Sequence, residues 1–352
     1  MHRAASLLSA LAAVAVVPTI ATNWGLTTKI TPNTWSQNFN FYSGPDNFTN
    51  GLVVYQSEAA AKNMGIAGVV NGEYRMAVST QAVALEGRPS VRVESKQRFG
   101  DGVYVLNVSH VPTGCSTWPA FWTTTTEENG KWPIGGEIDI LENANDEFTS
   151  NLVSLHTKSD CQIPAKISGQ TGSVDYTTCS VYVNNNSGCR VRMNGGSAPT
   201  WGASFNRAKG GFFAMARSFG STGKGVRVWY WPRGSEPADL KASSKTVNPD
   251  AWGKPAAWFN IANSCRSDFG PHKIVFDITL GGDWAFNTYV SSGCAAKYGN
   301  RPITDQVAYN GTSYNKAYWS VGGVRVFATG GGTDNAASLS KKRSGVELQR
   351  EA

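Results

Sequence analysis

Charge is scarce in this chain: Asp, Glu, Lys and Arg make up 16% of its 352 residues. Long helical periodicity is also scarce, and no internal repeat is visible. These absences argue against a helical bundle or a repeat array. The formal net charge of +7 is not gathered into a stripe of basic residues interleaved with aromatics, so no nucleic-acid partner is expected. The one long apolar run, Ala4 to Val17, is too short for a comfortable membrane span. The other end, Thr329–Ala352, has no hydrophobic tail and gives no sign of a glycolipid anchor. Its glycine, lysine and serine content reads as a disordered tail, with Lys341-Lys342-Arg343 a solvated charge cluster.

Glycine and tryptophan are plentiful, with 38 and 12 residues. With so little helix signal, that composition reads as many short strands joined by turns. The expected fold is an all-β sandwich of two antiparallel sheets, as one domain over residues 22–328. Residues 1–21 read as a secretory signal: His2 and Arg3, an apolar run, Pro18, then the small-residue site Thr19-Ile20-Ala21. The expected location is therefore extracellular. Six cysteines fall after this segment: Cys115, Cys161, Cys179, Cys189, Cys265 and Cys294. An even count in a secreted chain implies disulfides, and six allow fifteen pairings. Their spacings fit no zinc ribbon, and no metal or cofactor is expected. Cys179 with Cys189 is the favoured local pair, because Val183–Gly188 can turn back between them. Sequons at Asn47, Asn185 and Asn310 are expected glycosylation sites. A fourth, at Asn107, lies inside a strand-like run.

Strand-like segments are Asn33–Phe41, Leu52–Gln56, Glu73–Thr80, Ser90–Lys96, Val103–Val111, Ala120–Thr125, Thr149–Thr157, Gly211–Phe219, Gly225–Trp231, Lys273–Leu280 and Tyr318–Phe327. Helical turns are expected at Glu58–Asn63 and Thr304–Ala308, and loops at Glu127–Lys131 and Cys161–Pro199.

Against this background, three carboxylates fall within six residues in Gly135-Gly136-Glu137-Ile138-Asp139-Ile140-Leu141-Glu142. In a strand, alternate side chains share a face. Glu137 and Asp139 therefore point together, but Glu142 falls on the wrong parity. One extra residue in a β-bulge at Ile140-Leu141 restores it and puts all three acids on one face. An acidic strand can be merely solvated. Here Trp118, Trp122 and Trp132 lie just upstream, and indole faces are what sugar rings stack on. Gly135-Gly136 reads as clearance for a bulky ligand. Paired carboxyls beside sugar platforms are the requirement of glycoside hydrolysis.

The Gly-Glu-Ile-Asp-Ile-Leu-Glu motif resembles the bulged active-site motif of glycoside hydrolase family 16. Gly114–Trp122, Gly87–Lys96, Leu155-His156-Thr157, Val228–Arg233, Ile274–Asp277 and Gly282–Ala285 are similar to its fungal laminarinase branch, in order. The resemblance runs from about Trp35 to Phe327. It implies a concanavalin-like jelly roll with a concave cleft. It also implies endo-hydrolysis of β-1,3-glucan or mixed β-1,3/1,4-glucan with retention, by a chain expected to work as a monomer. Glu137 would then be the nucleophile, Glu142 the general acid and base, and Asp139 the helper that tunes the pair. Trp122, Trp132 and Trp284 would be sugar platforms, with Trp132 on the approach to the cleft. Any one of these tryptophans could instead be core. His156 reads equally as a structural strand residue or as a contact to sugar or acid. Arg92 reads as a surface ion pair or, by resemblance, as the cleft floor. Where that branch often carries a cysteine this chain has Gly281, which leaves the disulfide pairing open. A glucan-binding protein without catalysis, and a transglycosylase using the same carboxylates, are the competing readings.

Overall fold

The computed structural model describes residues 23–125, 131–194 and 198–329. The segments 1–21 and 330–352, most of the loop Glu127–Lys131, and part of Cys161–Pro199 lie outside the described residues.

Two antiparallel sheets form a sandwich. The eight-stranded sheet runs Ser173–Tyr176, Cys189–Arg192, Leu152–His156, Glu137–Glu142, Thr117–Thr124, Lys273–Leu280, Arg92–Ser95, Phe39–Phe41. The nine-stranded sheet runs Thr246–Val247, Trp24–Ile30, Tyr318–Ala328, Gly102–His110, Gly211–Ser218, Gly225–Pro232, Ala257–Phe259. Two further strands, Glu73–Ala77 and Ala67–Val70, hang on Tyr318–Ala328. A small third sheet holds Gly44–Pro45, Val53–Tyr55 and Arg88–Ser90.

The core follows from period-2 alternation. Phe121, Ile138, Ile274, Phe276 and Ile278 face inward from the eight-stranded sheet, against Leu106, Phe213, Met215 and Val324 of the other. Trp35 fills the middle of one end, stacked on Phe39 and Tyr74 at 4.5 and 4.8 Å. A second, smaller cluster covers the outer face of the nine-stranded sheet, where Leu240, Val247 and Trp252 pack on Trp24, Val105 and Trp229.

The strand bounds expected from alternation hold within a few residues for most of the chain, and Lys273–Leu280 and the helix Glu58–Asn63 fall where the pattern puts them. The opening differs. Asn33–Phe41 is a short 3-10 turn, one helical turn at Trp35–Asn38, and only then strand, at Phe39–Phe41. Trp35 must drop into the core from a turn, which alternation does not anticipate. The strand at Trp24–Ile30 and the helix Gly282–Thr288 are also unexpected from sequence.

All six cysteines are paired: Cys115–Cys294, Cys161–Cys265 and Cys179–Cys189. Gly281 therefore leaves no cysteine unmatched. Asn47 and Asn185 are exposed and Asn310 partly so, whereas Asn107 sits in the strand Gly102–His110 and accepts from Arg233 at 2.9 Å. No helix of the described residues is long and apolar enough to cross a membrane.

Candidate active site

The carboxylate strand Glu137–Glu142 lies between Thr117–Thr124 and Leu152–His156. On one side Asp139 pairs with Ser154 and Glu142 with Leu152, so three steps on this strand meet two on its partner. On the other side Trp122 faces Asp139 while Phe121 faces Leu141. This is the one-residue bulge. Ile138, Ile140 and Leu141 are all fully buried in the core, and the three acids emerge on the opposite face.

Asn151 makes the bulge affordable. Its Oδ1 accepts from the Glu142 backbone N–H at 2.9 Å and its Nδ2 donates to the Ile140 carbonyl at 2.8 Å. Those are backbone groups that an extra residue would otherwise leave unpaired in a buried place. Asn151 is itself fully buried.

The site is recessed, because Asp139 and Glu142 are only 2% and 7% exposed although they sit on the sheet's outer face. Glu137, Glu142 and the neighbouring Asp277 each have their own indole donor, and Asp139 has none. Trp132 Nε1 donates to Glu137 Oε2 at 2.8 Å, Trp118 Nε1 to Glu142 Oε1 at 2.7 Å, and Trp122 Nε1 to Asp277 Oδ2 at 3.0 Å. His156 Nε2 stands 3.2 Å from Asp139 Oδ2 and 4.0 Å from Glu137 Oε1. Its Nδ1 lies 2.9 Å from Asn186 Oδ1, in the loop closed by Cys179–Cys189. An Nδ1–H there donates to the Asn186 amide oxygen, and Nε2 is the ring nitrogen that faces Asp139.

These acids cannot all ionise at neutral pH. Burial, then the charge of Asp139, pushes Glu137 up to about 8, against the opposing pull of His156 and the Trp132 N–H. Burial, then the charge of Glu142, holds Asp139 well above the carboxylate range. Glu142 is raised by burial and pulled back by the Trp118 N–H, Arg190 and His156. Burial also lifts Asp277 to about 7, against Arg92 and the Trp122 N–H. The row titrates as a unit and keeps protons where most carboxyls have lost theirs. Asp139 Oδ2, buried without a hydrogen bond of good geometry, is a natural holder of one of them. Among the described residues, ligand atoms of Glu137, Asp139 and His156 also lie within 4.8 Å of one another, close enough to hold a cation.

The neighbouring predicted residues are placed as follows. Trp132 is 46% exposed but hydrogen-bonds Glu137. It stands at the Glu137 carboxyl, whereas its position in the sequence suggested the approach to the cleft. Trp284 is half-buried, edge-on to Trp118 at 5.8 Å and beneath the Arg190 guanidinium at 4.8 Å. Trp122 keeps one ring face against Arg92 at 5.1 Å. Arg92 is 5% exposed and pairs with Glu94 at 3.0 Å and Asp277 at 3.6 Å, so it props Trp122 and Asp277 from below. Gly135 and Gly136 are also reread. Both have positive φ, and a Cβ would come within 2.2 Å of Thr125 Cγ2 or 2.7 Å of Phe269 Cδ1. They are demanded by packing and turn geometry rather than by ligand clearance.

Sequence reasoning gave no role to Asp277, Arg190, Asn151 or Asn186, and it singled out Trp118 only as one of the indoles near the motif, not as a donor to an acid. A signal existed for Trp118, which shares one parity with Ala120 and Trp122 on the strand beside the acids. Asp277 lies opposite Ala120 on the next strand, which only the pairing reveals.

The model for the XgeA-like catalytic GH16 domain matches residues 39–327. An endo-1,3(4)-beta-glucanase of Arthroderma benhamiae is 35% identical over 308 residues, which cover 85% of this chain and 64% of that protein. Of two probable endo-1,3(4)-beta-glucanases from Aspergillus niger and Aspergillus flavus, the chain spans 44% and 49%. Among solved structures, GH16 laminarinase 16A of Phanerochaete chrysosporium, with β-glucans in donor and acceptor sites, is 31% identical with a TM-score of 0.78. That match covers 87% of this chain and all of the other. An elongating GH family 16 β-1,3-glucosyltransferase is 30% identical with a TM-score of 0.74, over 86% of this chain and 99% of that one.

Proposed function

Because the chain belongs to glycoside hydrolase family 16, we propose that it is a secreted endo-β-1,3(4)-glucanase that cleaves internal β-1,3-glucosidic bonds with retention. The observation that carries this reading is the bulge, which sets Glu137 and Glu142 on one face, each with an indole N–H on its carboxyl. Glu137 attacks the anomeric carbon and forms a glycosyl ester. Glu142 gives its proton to the leaving oxygen, then takes one from the water that releases the sugar. Asp139 keeps a proton between them and limits the charge of the row. Trp122, Trp132 and Trp284 offer ring faces to the glucan. His156 contacts Asp139 and lies close enough to Glu137 to feel its charge. Secretion is supported by the N-terminal sequence of residues 1–21 and by three disulfides.

A glucosyl transfer in place of hydrolysis is the second reading, favoured by the similarity to the β-1,3-glucosyltransferase. It uses the same two glutamates and differs only in what attacks the ester. A non-catalytic glucan binder would have no use for three clustered acids, two of them buried and costly to hold. Digestion of laminarin, barley glucan, cellulose and chitin, with sizing of the products, tests the proposal. Shortened laminarin and barley-glucan fragments are expected. Products longer than the substrate support transfer, and no product from either glucan overturns both readings.

A further inference from the structure

The two reactive glutamates share a device but not its mounting. Trp132 projects into solvent, with nearly half its surface open. Trp118 is held. Its ring lies edge-on to Trp284 at 5.8 Å and 77°. Beneath it is Gly282, where a Cβ would come within 3.1 Å of the indole Cε3. From this seat its Nε1 meets Glu142 Oε1 at 2.7 Å. Asn151 holds the Glu142 backbone N–H from the other end. The carboxyl therefore cannot turn without breaking a bond.

An acid that must also act as a base has to be acceptable in both states. A fixed donor on a carboxyl oxygen stabilises the anion, and does so most where water is excluded. We propose that Trp118 is a positioning residue that sets the proton affinity of Glu142 and thereby lets one carboxyl serve both halves of the reaction. This rests on the reading of Glu142 as the acid and base. In the first half, the Glu142 O–H bond breaks and its proton goes to the glycosidic oxygen. That oxygen leaves with the electron pair of its bond to the anomeric carbon, as Glu137 forms the ester. In the second half, water attacks that carbon, its proton returns to Glu142, and the ester pair returns to Glu137. The Trp118 N–H lowers the cost of the ionised Glu142 between these events. The other charged and titratable groups facing Glu142 are Glu137 and Asp139 on its own strand, His156 on Leu152–His156, Arg190 on Cys189–Arg192, and Asp277 on Lys273–Leu280. All of them remain when the indole N–H is removed.

Trp118→Phe keeps the ring and deletes the donor. The alkaline limb of kcat/KM on laminarin, which follows loss of the acid's proton, should move up by about one pH unit. Trp132→Phe should instead move the acid limb up, because it raises Glu137, which must be ionised to attack. One variant widens the bell and the other narrows it. If Trp118 only packs or stacks on sugar, KM rises and both limbs stay, which overturns the proposal. A measurement on the intact protein guards against a variant that does not fold. With tryptophan labelled by nitrogen-15, one indole N–H resonance should titrate with the midpoint of the alkaline limb and lose that titration in Glu142→Gln. No such resonance also overturns the proposal. Glu142→Ala with azide and an activated aryl glucoside separates the two levels. A β-azide product upholds the role of Glu142, so that an unmoved limb in Trp118→Phe then rejects only the role of Trp118. An α-azide rejects both.

Discussion

Tryptophan does two different jobs on the two outer faces of this sandwich. On the nine-stranded sheet, Trp24, Trp229 and Trp252 are 9%, 2% and 8% exposed and close a small second core. Their donors go to structural acceptors: Trp229 to the Gly253 carbonyl at 3.1 Å, Trp252 to Asp239 at 2.8 Å. On the eight-stranded sheet, the Trp118, Trp122 and Trp132 donors go to Glu142, Asp277 and Glu137. One face uses indoles to hide apolar area. The other uses them to make buried negative charge tolerable while leaving ring surface for a ligand. Stability and chemistry are thus concentrated on opposite sides of one core, and substitutions on the two sides should separate them.

The largest effect is expected from the acids. Glu142→Ala should lower kcat on laminarin by about 10²–10⁴-fold, and Glu137→Ala at least as much, with melting temperatures no lower than wild type. A steady-state assay beside a thermal melt checks both halves. A variant that is inactive because it is unfolded would blur the division between the faces. The converse test is Trp229→Ala, which should destabilise the fold by about 3–5 kcal/mol yet leave kcat per folded molecule unchanged. Denaturant titration with active-site-normalised kinetics reads the two separately.

A smaller effect is expected at Trp132. Since its N–H reaches Glu137, Trp132→Phe should cut kcat by about tenfold, the scale of one hydrogen bond to a charged group, in addition to weakening binding. An effect confined to KM would return Trp132 to the role of a platform alone.

The last effect is a pH dependence of stability rather than of activity. Burial, then the charge of Asp139, pushes Glu137 up to about 8 from an ordinary 4.5, so the folded state binds this proton more tightly than the unfolded one. Its contribution to stability is fully present below about pH 4.5 and is lost as pH rises through 8. Glu137→Gln cannot ionise. Its melting temperature should gain on that of the wild type as pH rises from about 4.5 to about 8, with a constant gap above that and none toward pH 4. Parallel melting curves across that window would show that the acid row is no burden to the fold.

Much of this was legible in the chain itself. Parity alone demanded an extra residue between Asp139 and Glu142, and Ile140 and Leu141 both turn into the core as that demands. The strands with clean alternation, such as Lys273–Leu280, were equally readable. What was not legible depends on partners distant in sequence. That Asn151 ties down the bulge is visible only once its hairpin is folded. The bond from Trp132 to Glu137 places this indole nearer the acids than its position five residues upstream suggests. Asp277 joins the acid row from a strand 135 residues later than Glu142, through pairing across Thr117–Thr124. Trp35 defeated the alternation rule because a single helical turn drops it into the core.

The bulge can also be seen as a matter of phase. A strand is read two residues at a time, and the extra residue between Asp139 and Glu142 is a frameshift that Asn151 locks in place. Substitutions at Ile140 or Leu141 are small edits to packing, but a one-codon deletion there would put the rest of the strand back in register. Both glutamates would survive in the gene and in every composition count, while the second turned inward among apolar side chains. For this fold the spacing of the acids is therefore as much a part of the active site as the acids are, and it is inherited through the length of the segment rather than through the identity of any residue in it.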